Sequence, residues 1–183
     1  PLYGVREDPD DHRLNACECA RGPDCESKGK HARLRGWQEL ATTDEEQLRR
    51  WWRSYPLANV GLLLQGHVVV DVDYRNGGLE SWTWLEGQPE TPLVPTLTVR
   101  SGAGFHAYYR LPVDPSRYAA GARLLAGIDL KGPRSNVVGP GSLHATGARY
   151  ELQADLPLAV AGEALWGSPG GSGGEPRGFT PEQ

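Results

Sequence analysis

The stretch HVVVDVDY, residues 67–74, puts four valines into positions 68–72 and ends them with two carboxylates, Asp71 and Asp73. Side chains this stiff at χ1 disfavour a helix and fit a pleated, buried surface, so the run must be a strand inside a sheet. Side chains alternate along a strand, which puts Asp71 and Asp73 on one face with Cα atoms roughly 6.6–6.8 Å apart. Two carboxylates held that close repel each other unless a cation lies beside them. Hard divalent cations such as Mg²⁺ and Mn²⁺ take carboxylate oxygens.

With 183 residues, 38% of them hydrophobic, the chain can bury a real core as one globular domain, expected over residues 1–166. A net charge of -4 excludes coating of nucleic acid by bulk electrostatics and leaves room for a local basic groove. No charged-then-apolar leader and no apolar run near ~18 residues occurs, so the expected location is cytoplasmic, with no membrane partner. The ends read as trimmed. The chain starts at Pro1 inside a short strand or turn, PLYGV, and contains no methionine. From Gly167 to Gln183 it is rich in Gly, Ser and Pro, which predicts a flexible linker with something beyond it.

Three cysteines fall within residues 17–25, and CECARGPDCESKGKH spaces them as Cys17-x-Cys19-x5-Cys25-x5-His31. Three thiolates and an imidazole in one short loop, about residues 12–35, suit a closed tetrahedral zinc site. The zinc is structural, since four ligands leave no open position; His12 is the alternative fourth ligand. The basic neighbours Lys28, Lys30, Arg33 and Arg35 are then expected to face a polyanion.

Thr43 and Glu46 form a capping box for a helix in which Leu48, Trp51, Trp52 and Tyr55 make one apolar stripe and Pro56 is the stop. The tryptophans are expected in the core, with Arg49, Arg50 and Arg53 on the solvated face. NVGLLL and HVVVDVDY, joined through Gln65 and Gly66, read as a hairpin. So does TLTVRSGAGFHAYYRL, whose returning strand puts Phe105, Ala107, Tyr109 and Leu111 on an apolar face and His106, Tyr108 and Arg110 on the other. Its turn at Ser101, Gly102, Ala103 and Gly104, flanked by Arg100 and His106, offers backbone N–H groups and side-chain donors to phosphate oxygens. In GIDLKG, Ile128 and Leu130 alternate with Asp129 and Lys131, which supplies a third carboxylate for a two-metal site. NVVGPGSLHATGARY adds a strand, a turn at Pro140 and Gly141, then Ser142, His144 and Tyr150.

In order, GKH…GW (Gly29 to Trp37), WW…YPLANVGLLLQG (Trp51 to Gly66), VVVDVD, RSGAGFHAYY, GIDLKG and VVGPGSLHATGARY resemble the bifunctional primase-polymerase (prim-pol) domain of the archaeo-eukaryotic primase superfamily, over about residues 28–152. The resemblance implies an α/β (α+β) fold with an RNA-recognition-motif-like, mostly antiparallel catalytic sheet and a flanking helical and zinc-loop lobe. It implies DNA-templated nucleotidyl transfer, primase or polymerase, with Asp71, Asp73 and Asp129 binding Mg²⁺ or Mn²⁺. Ser101 and His106 approach the triphosphate, with Arg100, Gly102, Lys131 and Lys30 assisting. It further implies single-stranded DNA template and primer, dNTP or NTP substrates, and a helicase region or partner. One departure is Gly139-Pro140-Gly141-Ser142, where the family often has two prolines before the serine.

Three rivals share parts of this pattern. A haloacid-dehalogenase-type phosphatase opens on an apolar strand and DxD, usually followed by Thr or Val, a helix and a later acidic pair; Tyr74 to Gly78 does not resemble that. A metal-dependent nuclease uses similar carboxylates but needs no glycine turn for a triphosphate. A zinc-stabilised module binding single-stranded nucleic acid without catalysis leaves Asp71, Asp73 and Asp129 unexplained.

Overall fold

The valine strand splits its faces as expected at its carboxylate end: Val68, Val70 and Val72 enter the core while His67, Asp71 and Asp73 are only partly covered, although Val69 on the carboxylate face is buried too. The computed structural model describes residues 1–183 except 11, 90–92, 113–122, 163–164 and 166–183, so the linker expected from Gly167 lies outside the described residues. The fold is mixed α/β, with mostly antiparallel sheets and few helices. Among the described residues no helix is long and apolar enough to cross a membrane. The chain divides into two compact units.

The first unit comprises Pro1–Leu63, Val99–Gly102 and Arg134–Leu152. Strands β1 (Val5–Arg6) and β2 (Ala16–Cys17) pair antiparallel. Two helices follow, α1 (Trp37–Leu40) and α2 (Glu45–Ser54). The N-cap of α2 is Asp44, one residue after the expected Thr43, because the Asp44 carboxylate accepts from Gln47 N at 2.7 Å. Glu46 instead pairs with Arg50 one turn on, at 2.9 Å. The expected burial of Trp51 and Trp52 is corrected: α2 has no buried residue, and both tryptophans are half-buried. Trp52 Nε1 donates to Ala58 O at 3.1 Å, which keeps the ring's polar edge at the margin of the core.

The expected hairpin through Gln65 and Gly66 does not form. Strand β3 (Gly61–Leu63) pairs antiparallel with Asn136–Val138, and the valine strand takes other partners. Local spacing suggested a turn, but sheet partners are chosen by whole-face complementarity rather than by proximity in sequence.

The second unit comprises Leu64–Thr98, Ala103–Pro133 and the described residues from Gln153 onward. Its central strand is β4 (His67–Asp73), followed by α3 (Gly78–Glu86); the short β5 (Thr98–Arg100) falls in the first unit from Val99 onward, and β6 (Gly104–Arg110) is in the second. Then come β7 (Arg123–Leu125) and β8 (Ile128–Lys131); β9 (Asn136–Val138) and the first half of β10 (Glu151–Ala154) are in the first unit, and β11 (Ala159–Val160) is in the second. Strand β4 is antiparallel to β6 on one side and to β8 on the other; β7 extends β8, and β11 lies parallel to β6. Leu97 O accepts from Tyr108 N at 2.9 Å, so the chain doubles back across the glycine turn as the sequence predicts.

Val68, Val70, Val72, Phe105, Ala107, Tyr109, Ile128 and Leu130 share one buried cluster, each large apolar side chain contributing about 1.5–3 kcal/mol of transfer free energy. Helix α3 caps this face: Leu85 joins the cluster, and Trp82 meets Phe105 edge to face at 5.0 Å. The sequence reading did not foresee α3; a helix after the DxD is a feature the phosphatase rival shares, and Tyr74 to Gly78 is what sets that rival apart. Of its buried residues Gly78, Ser81 and Leu85, only Leu85 carries a large apolar side chain, so no apolar stripe announced the helix in the sequence.

Candidate active site and metal centre

In the first unit, pairing of β1 with β2 fixes Cys17 opposite Val5, and a 3₁₀ turn at Gly22–Asp24 delivers Cys25. The ligand atoms of Cys17, Cys19, Cys25 and His31 all lie within 4.8 Å of one another. His31 Nε2 is 3.4 Å from Cys17 Sγ and 3.5 Å from Cys25 Sγ. A tetrahedron with Zn–S near 2.3 Å and Zn–N near 2.0 Å has an S···N edge of roughly 3.5 Å, so the donor set fits structural zinc. His31, not His12, completes the cluster: His12 is exposed beside Glu7 at 3.3 Å. The His31 ring also rests on Tyr3, centroids 4.6 Å apart.

Burial pushes the Cys25 thiol up to about 11, so by itself it stays protonated, and binding a cation would release its proton. At Cys19 burial also pushes upward, but hydrogen bonds from the Arg21 N–H, from Cys17 and Cys25, and from the Gly22 N–H outweigh it and lower the pKa. Burial, then Arg21 and Arg33, lowers that of His31, which favours the neutral ligand form.

The basic residues of this loop part company. Lys30 and Arg35 are exposed, but Arg33 does not face a polyanion: its guanidinium is stacked between Tyr3 and Tyr55, at 4.4 and 4.6 Å, and pairs with Glu18. Aromatic faces and a half-buried carboxylate hold it as a structural cation.

Arg100, Ser101 and Gly102 belong to the same unit. Arg100 is exposed and pairs with Glu151. Gly102 has a reason beyond backbone access, since a Cβ there would come within 2.2 Å of His144 Nδ1 and 2.6 Å of Thr146 Oγ1. His144 is buried with its Nδ1 2.9 Å from Thr146 Oγ1, so a rigid imidazole backs the glycine turn. Ser142 is turned inward: its hydroxyl accepts from Val60 N at 2.9 Å.

In the second unit the strand registers bring three predicted residues into one row. Asp71 stands opposite His106 on β6 and opposite Asp129 on β8. All three side chains are on the face away from the valine core, and the next row toward the start of β4 is Val69, flanked by Tyr108 and Lys131. His106 is buried, with Nε2 3.5 Å from Asp71 Oδ1. Lys131 Nζ is 3.1 Å from Asp129 Oδ2 and 3.9 Å from Asp71 Oδ2, so one ammonium lies in reach of both carboxylates. Arg123 Nε, which the sequence reading did not single out, is 3.8 Å from Asp129 Oδ1.

Asp73 is one row further and opposite Gly104. Its carboxylate is held by Arg75 and Asn76, two further residues that sequence reasoning missed. Oδ1 accepts from Arg75 N at 2.9 Å and Nε at 3.1 Å; Oδ2 accepts from the Arg75 guanidinium at 2.9 Å and from Asn76 Nδ2 at 3.0 Å. The Arg75 side-chain hydrogen bonds keep the Asp73 carboxyl below the usual carboxylate range despite partial burial. The signal was in the sequence: Asp followed at i+2 by an N–H donor is an Asx-turn, and DYRN reads as one.

These acids make a hard, oxygen-rich donor set. An ammonium already stands where the Asp71 and Asp129 oxygens converge, so the residues present suit a divalent cation of the Mg²⁺ or Mn²⁺ class. The row of acid, imidazole and ammonium can also bind and orient an anionic phosphate group.

Residues 14–164 match the family model described as bifunctional DNA primase/polymerase, N-terminal. No curated protein matches the chain significantly.

Proposed function

The chain belongs to the bifunctional DNA primase/polymerase N-terminal family, a nucleotidyltransferase family, and from that premise we propose that it joins nucleoside triphosphates to a 3′-hydroxyl on a single-stranded DNA template. The observation that carries this reading is the in-register row of Asp71, His106 and Asp129 across three strands of one sheet.

Asp71, Asp73 and Asp129 would hold the divalent ions, Mg²⁺ or Mn²⁺. When bound, such ions lower the pKa of the attacking hydroxyl and neutralise charge on the leaving pyrophosphate. His106, fixed by its neighbours on β6 and directed at Asp71, orients the triphosphate beside the acids. Lys131 screens the acid pair before loading and then donates to a phosphate oxygen. The contribution of these side chains is positional and electrostatic, with no covalent intermediate on the protein. Arg100, Ser101, Gly102 and Lys30 enter as nucleotide-binding residues on the strength of the family's motifs. The zinc cluster stiffens a loop with little core of its own and takes no part in the chemistry.

The test is primer extension and de novo priming on single-stranded DNA with dNTPs or NTPs and Mg²⁺ or Mn²⁺. Metal-dependent products with release of pyrophosphate, lost in Asp71→Ala/Asp73→Ala, are the expected result. Full activity in that double variant, or release of nucleoside monophosphates from the DNA instead, overturns the reading.

A further inference from the structure

Asp73 differs from its two partner acids in how it is held. Asp71 and Asp129 share one ammonium, whereas both oxygens of Asp73 are saturated by four donors from Arg75 and Asn76. The Arg75 guanidinium grips it as a fork, one nitrogen to each oxygen. Any cation approaching Asp73 must compete with that fork for the same lone pairs. The grip is also easy to release. The Arg75 side chain is 65% exposed, and an ion pair so open to water is worth only a few-fold in any equilibrium.

The backbone around it is fixed, while the Arg75 side chain is open to water. Tyr74 N donates to Ala103 O at 2.9 Å, and Gly77 closes the 3₁₀ turn in the left-handed region at φ 81°. A guanidinium that leaves Asp73 therefore stays tethered at the same place on the acidic face. Phosphate oxygens offer it the same planar, bidentate geometry as a carboxylate, with more charge.

Resting on the metal-carboxylate reading given above, we propose that Arg75 couples metal loading to nucleotide arrival: it occupies Asp73 in the metal-free protein, then transfers its fork to the triphosphate and leaves Asp73 to the incoming divalent ion. Arg75 is thus both the cation that pairs with Asp73 and, once released from it, a phosphate ligand. Metal without nucleotide pays the cost of displacing the fork, while metal with nucleotide does not.

The experiment is Mn²⁺ binding to the full chain, read from the free-ion electron paramagnetic resonance signal, with and without a non-hydrolysable nucleoside triphosphate. Wild type is compared with Arg75→Gln and Arg75→Lys, and thermal melts confirm that each variant is folded. Wild type should bind Mn²⁺ at least tenfold tighter when the analogue is present. Arg75→Gln should bind Mn²⁺ alone roughly three- to fivefold tighter than wild type, the worth of an exposed ion pair. It should also lose most of the enhancement by the analogue, and Arg75→Lys, charged but without a fork, should fall between. Identical binding in wild type and Arg75→Gln overturns the proposal, as does a variant that keeps the full enhancement. A different result overturns the underlying metal assignment instead: Mn²⁺ binding by wild type with analogue no tighter than by Asp71→Ala/Asp73→Ala.

Discussion

Asp71 and Asp129 stand directly opposite each other on antiparallel strands, with the Lys131 ammonium in reach of both. Like charges so placed cost a sheet roughly 0.2–1 kcal/mol, more than a neutral pair would. Asp129→Asn should therefore leave stability unchanged or raise it by up to about 1 kcal/mol, while extension falls to background. Lys131→Met should destabilise by a similar amount, because the two acids then face each other without a shared cation. Urea titration with a primer-extension assay separates the effects; a loss of several kcal/mol in Asp129→Asn would show that the acid is structural.

Gly104 faces Asp73 across the β4–β6 ladder, and a Cβ there would lie 1.8 Å from Val72 O. A backbone carbonyl inside a ladder has little room to retreat. Gly104→Ala should cost about 3 kcal/mol or more, at the upper end of overpacking effects. Equilibrium unfolding in urea measures it, and a cost below about 1 kcal/mol would mean that the strands part more easily than this geometry implies.

One zinc ion per chain is expected, ligated by Cys17, Cys19, Cys25 and His31. Elemental analysis should find it in wild type and in His12→Ala but not in His31→Ala. Cobalt substitution should give the intense visible bands of a tetrahedral thiolate site. Chelation should lower the melting temperature, since the binding free energy of a closed site is also folding free energy. A zinc content that follows His12 would reverse the ligand assignment.

Alkaline stability has a marker in Tyr109. Burial first, and the nearby Glu86 charge second, push its phenol up to about 12. A folded-state pKa above the unfolded value of about 10 contributes stability that is complete below pH 10 and is lost as pH rises through 12. Tyr109→Phe should flatten the loss of stability between those limits relative to wild type, measured as the difference in unfolding free energy against pH. Parallel curves for the two proteins would show that the phenol is free to ionise in the fold.

Acid has the opposite marker. The Asp73 carboxyl is lowered by its hydrogen bonds to Arg75, so its contribution is present above the unfolded pKa of about 3.9 and disappears as pH falls through the folded value. Arg75→Gln should remove part of the acid sensitivity below pH 4, and an unchanged acid transition would detach Arg75 from Asp73 in solution.

The faces of the strands were legible in the sequence because alternation is local. Val68, Val70 and Val72 against Asp71 and Asp73, Ile128 and Leu130 against Asp129 and Lys131, and the two sides of β6 all fall as the pattern predicts. Zinc-ligand spacing was equally readable, since a short loop keeps its donors within reach whatever the rest of the chain does. Partner choice was not. β3 turned away from β4 to pair with Asn136–Val138, a decision made between segments more than seventy residues apart. Threonine and aspartate side by side left the N-cap of α2 ambiguous by one residue, and geometry chose Asp44. Arg33 looked like a surface cation because nothing in its neighbourhood announces that Tyr3 and Tyr55 will close on it. Arg75 escaped notice because the Asx-turn legible in DYRN places its backbone N–H on Asp73 but does not say where its guanidinium goes.

The row of Asp71, His106 and Asp129 also sets a timetable for synthesis. Its members come from three strands whose order in space, β6-β4-β8, differs from their order in the chain. Neither β4 nor the β4–β6 pair holds more than part of the constellation, and the last acid emerges only with β8. A nascent chain therefore carries no complete row until Asp129 has left the ribosome. Long-range closures of this kind make folding slower than local contacts do. The polypeptide cannot hold its full carboxylate set until its central sheet is nearly finished.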